Sequence, residues 1–146
     1  MSKLFKRAKV QLSLADDCYR RFSEDDAYVD ACCYCLQQSI ELSLKYIVEL
    51  HGEDYAENHD LRANLNKLAR MEISIPMVEE LRRMSSTLYS WATESRYRDS
   101  FIALTTDIDL AREIAISLVD YINSISTQSE YIAPSEYPDG RLAPLE

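Results

Sequence analysis

Apolar residues recur three or four positions apart along most of this chain, which is the spacing of one buried helix face. Leu4, Ala8, Leu12, Ala15 and Tyr19 set the first such stripe, predicting a helix from Lys3 to about Phe22. Ser23-Glu24-Asp25-Asp26 follows, a serine N-cap with an acidic first turn suited to the positive end of a helix dipole. From there a long helix is predicted over about Glu24 to His51, uninterrupted by proline or glycine, with Gly52 placed to cap its C-terminus. Leu61, Leu65 and Leu68 mark a short third helix ending near Arg70 or Met71, with Asn58 or Asp60 as its cap. Pro76 suits the first turn of a fourth helix whose stripe is Val78, Leu81, Met84, Leu88 and Trp91, ending near Ser95. A fifth helix follows Thr105-Thr106-Asp107, carried by Ile108, Ala111, Ile114, Ala115, Leu118, Val119 and Ile122.

No strand is required anywhere, so the predicted fold is all-α: five helices in an up-and-down bundle, successive helices antiparallel. The bundle is expected to occupy residues 1–125. Residues 126–146 hold three of the four prolines and one of the two glycines. That composition predicts a flexible C-terminal tail with no core of its own.

At 146 residues and 47% apolar content the chain suffices for one interior. Two glycines leave almost no material for a glycine-rich phosphate loop, which disfavours P-loop and dinucleotide-binding folds. No apolar run reaches the roughly 18 residues of a membrane span, and Met1–Arg7 is followed by no apolar block with a cleavage site. The expectation is a cytoplasmic protein with no membrane contact. A formal charge of −9 opposes bulk nucleic-acid binding, so any such contact must be local. Basic residues do cluster at Lys3, Lys6, Arg7 and Lys9, at Arg20-Arg21, at Arg82-Arg83 and at Arg96 with Arg98, and exposed helix faces account for most of these.

Cys32 and Cys35 form a C-x-x-C pair, but it lies in an apolar helical stretch with no second pair and no adjacent histidine. A structural zinc site needs four ligands. The four cysteines, with Cys18 and Cys33, are therefore read as reduced, core-packing residues, and neither a metal nor a cofactor is expected. Gln37, Glu41 and Lys45 stand four apart on the second helix. The simpler reading of Glu41 and Lys45 is a solvated i,i+4 ion pair, and the sharper one makes Lys45 a phosphate contact. His59, in the loop before the third helix, is either a local capping residue or an acid, base or hydrogen-bond donor. His51 is expected to serve the end of its own helix. Glu94-Ser95-Arg96-Tyr97-Arg98-Asp99 brings two guanidinium groups to the exit of the fourth helix, where they bind phosphate or are neutralised by Glu94 and Asp99. No hydrolase triad is recognisable, and no catalytic residue is assigned.

These pieces, in this order, resemble the HEPN domains, a family named for higher eukaryotes and prokaryotes nucleotide-binding. The carriers are the first-helix pattern and Ala31 to Lys45, whose Gln37-Gln38-Ser39-Ile40-Glu41-Leu42-Ser43-Leu44-Lys45 is similar to the family's Q-Q-A-x-E-x-x-L-K. With them go His51-Gly52, His59-Asp60-Leu61, and Ser95-Arg96-Tyr97-Arg98-Asp99, which is similar to R-Y-P-D with Arg98 in place of proline. The resemblance spans most of Lys3 to Ile125. It implies a homodimer, a nucleotidyltransferase partner in a toxin–antitoxin setting, and a nucleotide or RNA ligand. Many family members are metal-independent RNases using an arginine followed four to six residues later by histidine, and neither His51 nor His59 is so preceded. The expectation is a non-catalytic module that binds a nucleotide or docks a nucleotidyltransferase through Lys45, His59, Arg96 and Arg98. The alternatives are an RNase with a rearranged site built on His59 and Arg96, and a dimeric helical scaffold with no small-molecule site.

Overall fold

The computed structural model describes residues 2–95 and 97–130, and these fold into five helices. They are α1 (Leu4–Tyr19), α2 (Ala27–Leu50), α3 (Arg62–Arg70), α4 (Val78–Glu94) and α5 (Thr105–Glu130). No strand occurs among the described residues. α2 is the axis of the bundle and touches each of the other four helices. Its sequence dictates that position: Cys32, Cys33, Leu36, Ile40, Leu44, Ile47 and Val48 are all fully buried, covering more of the helix than one surface-helix stripe would. Trp91, Leu88, Ile114 and Leu118 close the core from α4 and α5, each contributing about 1.5–3 kcal/mol of burial.

α1 lies antiparallel against α2. Ala8 and Ala15 have no exposed surface, and the Ser39 hydroxyl donates across the seam to the Ala8 carbonyl at 2.8 Å. Phe5 stacks on Tyr46 nearby, with ring centroids 5.5 Å apart and planes at 7°. At the other end of α1, Arg112 of α5 donates to Asp16 at 2.7 Å and the Tyr19 hydroxyl donates to Asp109 at 2.6 Å. These pairings run α5 antiparallel to α1 and so parallel to α2.

The helix ends refine the predicted boundaries. α1 stops at Tyr19, three residues short of Phe22, yet Phe22 still packs beside the Tyr19 ring, which is why the apolar spacing continues past the helix. α2 begins at Ala27 and not at Glu24. Asp25, not Ser23, offers the oxygen, accepting from the Ala27 amide at 2.9 Å. Gly52 does cap α2: at φ 82° it lets its own amide reach the Glu49 carbonyl and the Glu53 amide reach that of Val48. α3 ends in the same motif with Glu72 at φ 57°, and Asp60 accepts from the Arg62 amide at its start. Pro76 precedes α4 instead of occupying its first turn, because Met77 at φ 56° turns the chain between them. The Met77 sulfur accepts from the Ser117 hydroxyl of α5, which fixes that turn.

α5 runs to Glu130, five residues beyond the expected bundle boundary at Ile125. The rest of the expected tail, residues 131–146, lies outside the described residues. No helix among the described residues is long and apolar enough to cross a membrane. All four cysteines are free, with Cys32 and Cys33 buried in the core.

Candidate functional site

A buried carboxylate organises the most polar part of the interior. Glu41 sits on α2 with 4% of its surface exposed, and a carboxylate so buried is costly without partners. Three side chains supply them. Gln37 donates to Oε1 at 2.8 Å, Lys45 Nζ lies 3.1 Å from Oε2, and His59 Nδ1 lies 2.9 Å from Oε1. Gln38 extends the chain by donating to the Gln37 amide oxygen at 2.8 Å. Lys45 also stands over the Tyr55 ring, 5.5 Å from its centroid.

The 51–61 connection delivers His59 to this carboxylate because it is tied down at two points. Asn64, buried on α3, accepts from the Ala56 amide at 2.8 Å and donates to the Ala56 carbonyl at 3.0 Å. Asn58 accepts from the Asp60 amide at 2.6 Å, and Arg62 grips Asp60 through its guanidinium. That contact holds the Asp60 carboxyl below its ordinary range. With Nδ1 donating to Glu41, the imidazole leaves Nε2 for a further contact, and its side chain is 57% exposed. Glu41 thus orients the ring from below while the other edge faces outward. Chemically, such a pair can accept or relay one proton, or bind a donor on a ligand.

Of the predicted site residues, the structure brings Lys45 and His59 together on Glu41. Lys45 is the counter-ion of a buried acid, not a free cation in an open groove, and its side chain is only 13% exposed. Arg98 is exposed but belongs to the other end of the bundle. Its neighbours Asp99, Phe101, Ile102 and Ala103 share a cavity with Asp26, Val29 and Asp30 at the start of α2. Asp30 and Lys45 are fifteen residues apart on that helix, about 22 Å of rise. The expected single groove from Lys45 and His59 is therefore not joined to Arg98 within one chain. The reason is topological: α4 runs against α2, so its exit lies beside the α2 N-terminus. Arg96 lies outside the described residues. His51 serves its helix end as expected, donating from Nδ1 to the Ile47 carbonyl at 2.8 Å.

The HEPN domain family model matches residues 1–130. This chain belongs to the HEPN domain family. No curated protein and no solved structure matches it. In this HEPN domain the Gln37-x-x-x-Glu41-x-x-x-Lys45 file is the inward-facing polar thread of α2, and His59 joins it from the following loop. Sequence reasoning paired Glu41 with Lys45 and grouped Lys45 with His59, but missed that Glu41 is the buried carboxylate that joins them. It missed Tyr55 and the Asn64 clamp altogether. The available signal was the file of long polar side chains inside an otherwise apolar helix, a pattern that a buried helix sustains only if its members pair. Among the described residues no group of histidine, cysteine, aspartate and glutamate is placed to hold a metal.

Proposed function

We propose that this HEPN domain is a non-catalytic nucleotide-binding or nucleotidyltransferase-partner module of the toxin–antitoxin kind, working as a homodimer. The observation that carries the reading is the His59–Glu41 pair: a buried carboxylate fixes an exposed imidazole with one edge turned to solvent. His59 is the ligand contact. Lys45 acts as a positioning residue, its Nζ on the second carboxyl oxygen fixing Glu41 beneath the ring. Arg96 and Arg98 supply phosphate contacts; Arg98 lies at the opposite end of the bundle, which requires the second copy of an antiparallel pair to bring it beside His59. The missing arginine-to-histidine spacing supports assigning no catalytic residue.

Titration of the full chain with ATP tests this. His59→Ala and Arg98→Ala are each expected to weaken binding tenfold or more, and sedimentation should report a dimer. Unchanged affinity in both variants overturns the reading.

A second reading, a metal-independent RNase with a rearranged site, is favoured by the same pair, since a carboxylate-oriented histidine is suited to general acid–base work. Incubation of metal-free protein with end-labelled single-stranded RNA separates the two. Cleavage abolished by His59→Ala would establish the nuclease, and intact RNA would exclude it.

A further inference from the structure

The first fifteen residues carry Lys3, Lys6, Arg7 and Lys9 and no acid, in a chain whose net charge is −9. Lys9 is engaged over the Phe5 ring, 4.5 Å from its centroid. The other three have no ion pair or side-chain hydrogen bond among the described residues. They line one cavity of about 500 Å³ between α1 and α2, completed by Val10, Gln11, Gln38 and Leu42.

Nothing in the fold itself accounts for these three cations. They are spaced three and four apart, so they repel one another along one helix face. They also crowd the first turns of α1, where positive charge opposes the helix dipole. Neither arrangement stabilises the isolated chain, and both become favourable once an anion sits among them. The cavity's size is that of a small-ligand site, and Val10 and Leu42 give it an apolar wall beside the cationic one. Val10 is 56% exposed, an apolar surface open to a ligand. Gln38 contributes an amide from the α2 side and is the outer member of the Gln38–Gln37–Glu41 hydrogen-bond chain.

We infer that this cleft binds a small ligand carrying two or more phosphoryl groups. Lys3, Lys6 and Arg7 hold the phosphates, Arg7 through its planar fork and the lysines as point charges. Gln38 offers a polar contact, and Val10 with Leu42 packs the ligand's apolar portion. The site shares only Gln38 with the hydrogen-bond chain around Glu41, uses neither His59, Lys45 nor Arg98, and stands if the His59 reading fails.

The test is calorimetric titration of the full chain with sodium tripolyphosphate at 50 mM and 150 mM salt. Saturable binding of one tripolyphosphate per chain is expected, weakened at least tenfold by Lys6→Ala with Arg7→Ala and by a smaller factor in Lys3→Ala. A control pair, Arg20→Ala with Arg21→Ala, removes the same formal charge elsewhere on the surface and should leave the affinity within twofold. Absence of saturable binding overturns the inference. So does equal weakening by the control pair, which would reduce the effect to bulk charge, or weakening by Arg98→Ala alone, which would move the ligand to the other end of the bundle. Circular dichroism of each variant confirms its fold.

Discussion

His59 Nδ1 and Glu41 Oε1 lie 2.9 Å apart, joining an exposed loop histidine to a carboxylate buried in the central helix. The same carboxylate takes Lys45 on its other oxygen. One buried carboxylate therefore fixes a cation and the imidazole that the 51–61 connection delivers to it.

That arrangement makes Lys45 matter more to stability than its place in an i,i+4 pair suggests. Lys45→Met strands the Glu41 carboxylate without its counter-ion and is expected to cost about 3 kcal/mol in urea unfolding, in the range for breaking a buried pair. Adding Glu41→Leu should recover most of the loss, since two apolar side chains then replace the pair. A loss below about 1 kcal/mol in the single variant would mark the pair as a solvated one.

The two left-handed helix caps give opposite signs for opposite substitutions. At Gly52, φ 82° and no atom within 4 Å of an added Cβ make the cost purely conformational. Gly52→Ala should destabilise by about 1 kcal/mol. Glu72 adopts φ 57° in the equivalent position, so Glu72→Gly should stabilise by about 0.5–1 kcal/mol. Thermal unfolding of the two variants should therefore shift in opposite directions.

The buried thiols predict an alkaline weakness. Burial pushes Cys32 up to about 12 and Cys35 up to about 11 from an ordinary 9.0, and Cys33 higher still. Below pH 9 both folded and unfolded chains hold these protons. Above it the unfolded chain releases them first, so stability is lost as pH rises from 9 toward 12. Cys32→Ala with Cys33→Ala should flatten that decline in urea unfolding at pH 7 to 11. In native protein at pH 8 a disulfide reagent should modify Cys32 and Cys33 only slowly, and all four thiols in urea.

The α1–α5 contacts are expected to contribute little. Arg112 and Asp16 are 39% and 28% exposed, so Arg112→Ala should cost about 1 kcal/mol or less even with its stacking on the Tyr19 ring removed.

The helices were legible because each stripe, such as Leu81, Met84, Leu88 and Trp91, is a local repeat that burial enforces directly. The helix starts were less so. Competing oxygens at Ser23, Asp25 and Asp26 precede α2, and only the packed chain shows Asp25 taking the Ala27 amide while Asp26, at the N-cap itself, makes no side-chain cap bond. At the site, Glu41 and Lys45 read as a surface pair because i,i+4 spacing is the same whether the face is wet or buried. His59 reaches Glu41 only through the Asn64 clamp on Ala56, a contact that spacing cannot reveal. The distance between Lys45 and Arg98 follows from helix direction, which residue types alone leave open. The cleft at Lys3, Lys6 and Arg7 needed Gln38 and Leu42 of α2 opposite those cations to become concave.

In the proposed role, Glu41 holds the His59 imidazole ready for a nucleotide. Two histidines make it directly observable by long-range proton–nitrogen NMR of the imidazoles during an ATP titration of the full chain, with His51→Gln giving the assignment. A saturable shift at His59 Nε2 is expected, with the His51 signals unmoved. A His59 resonance that stays fixed to saturating ATP, or that moves no more than His51, would contradict it.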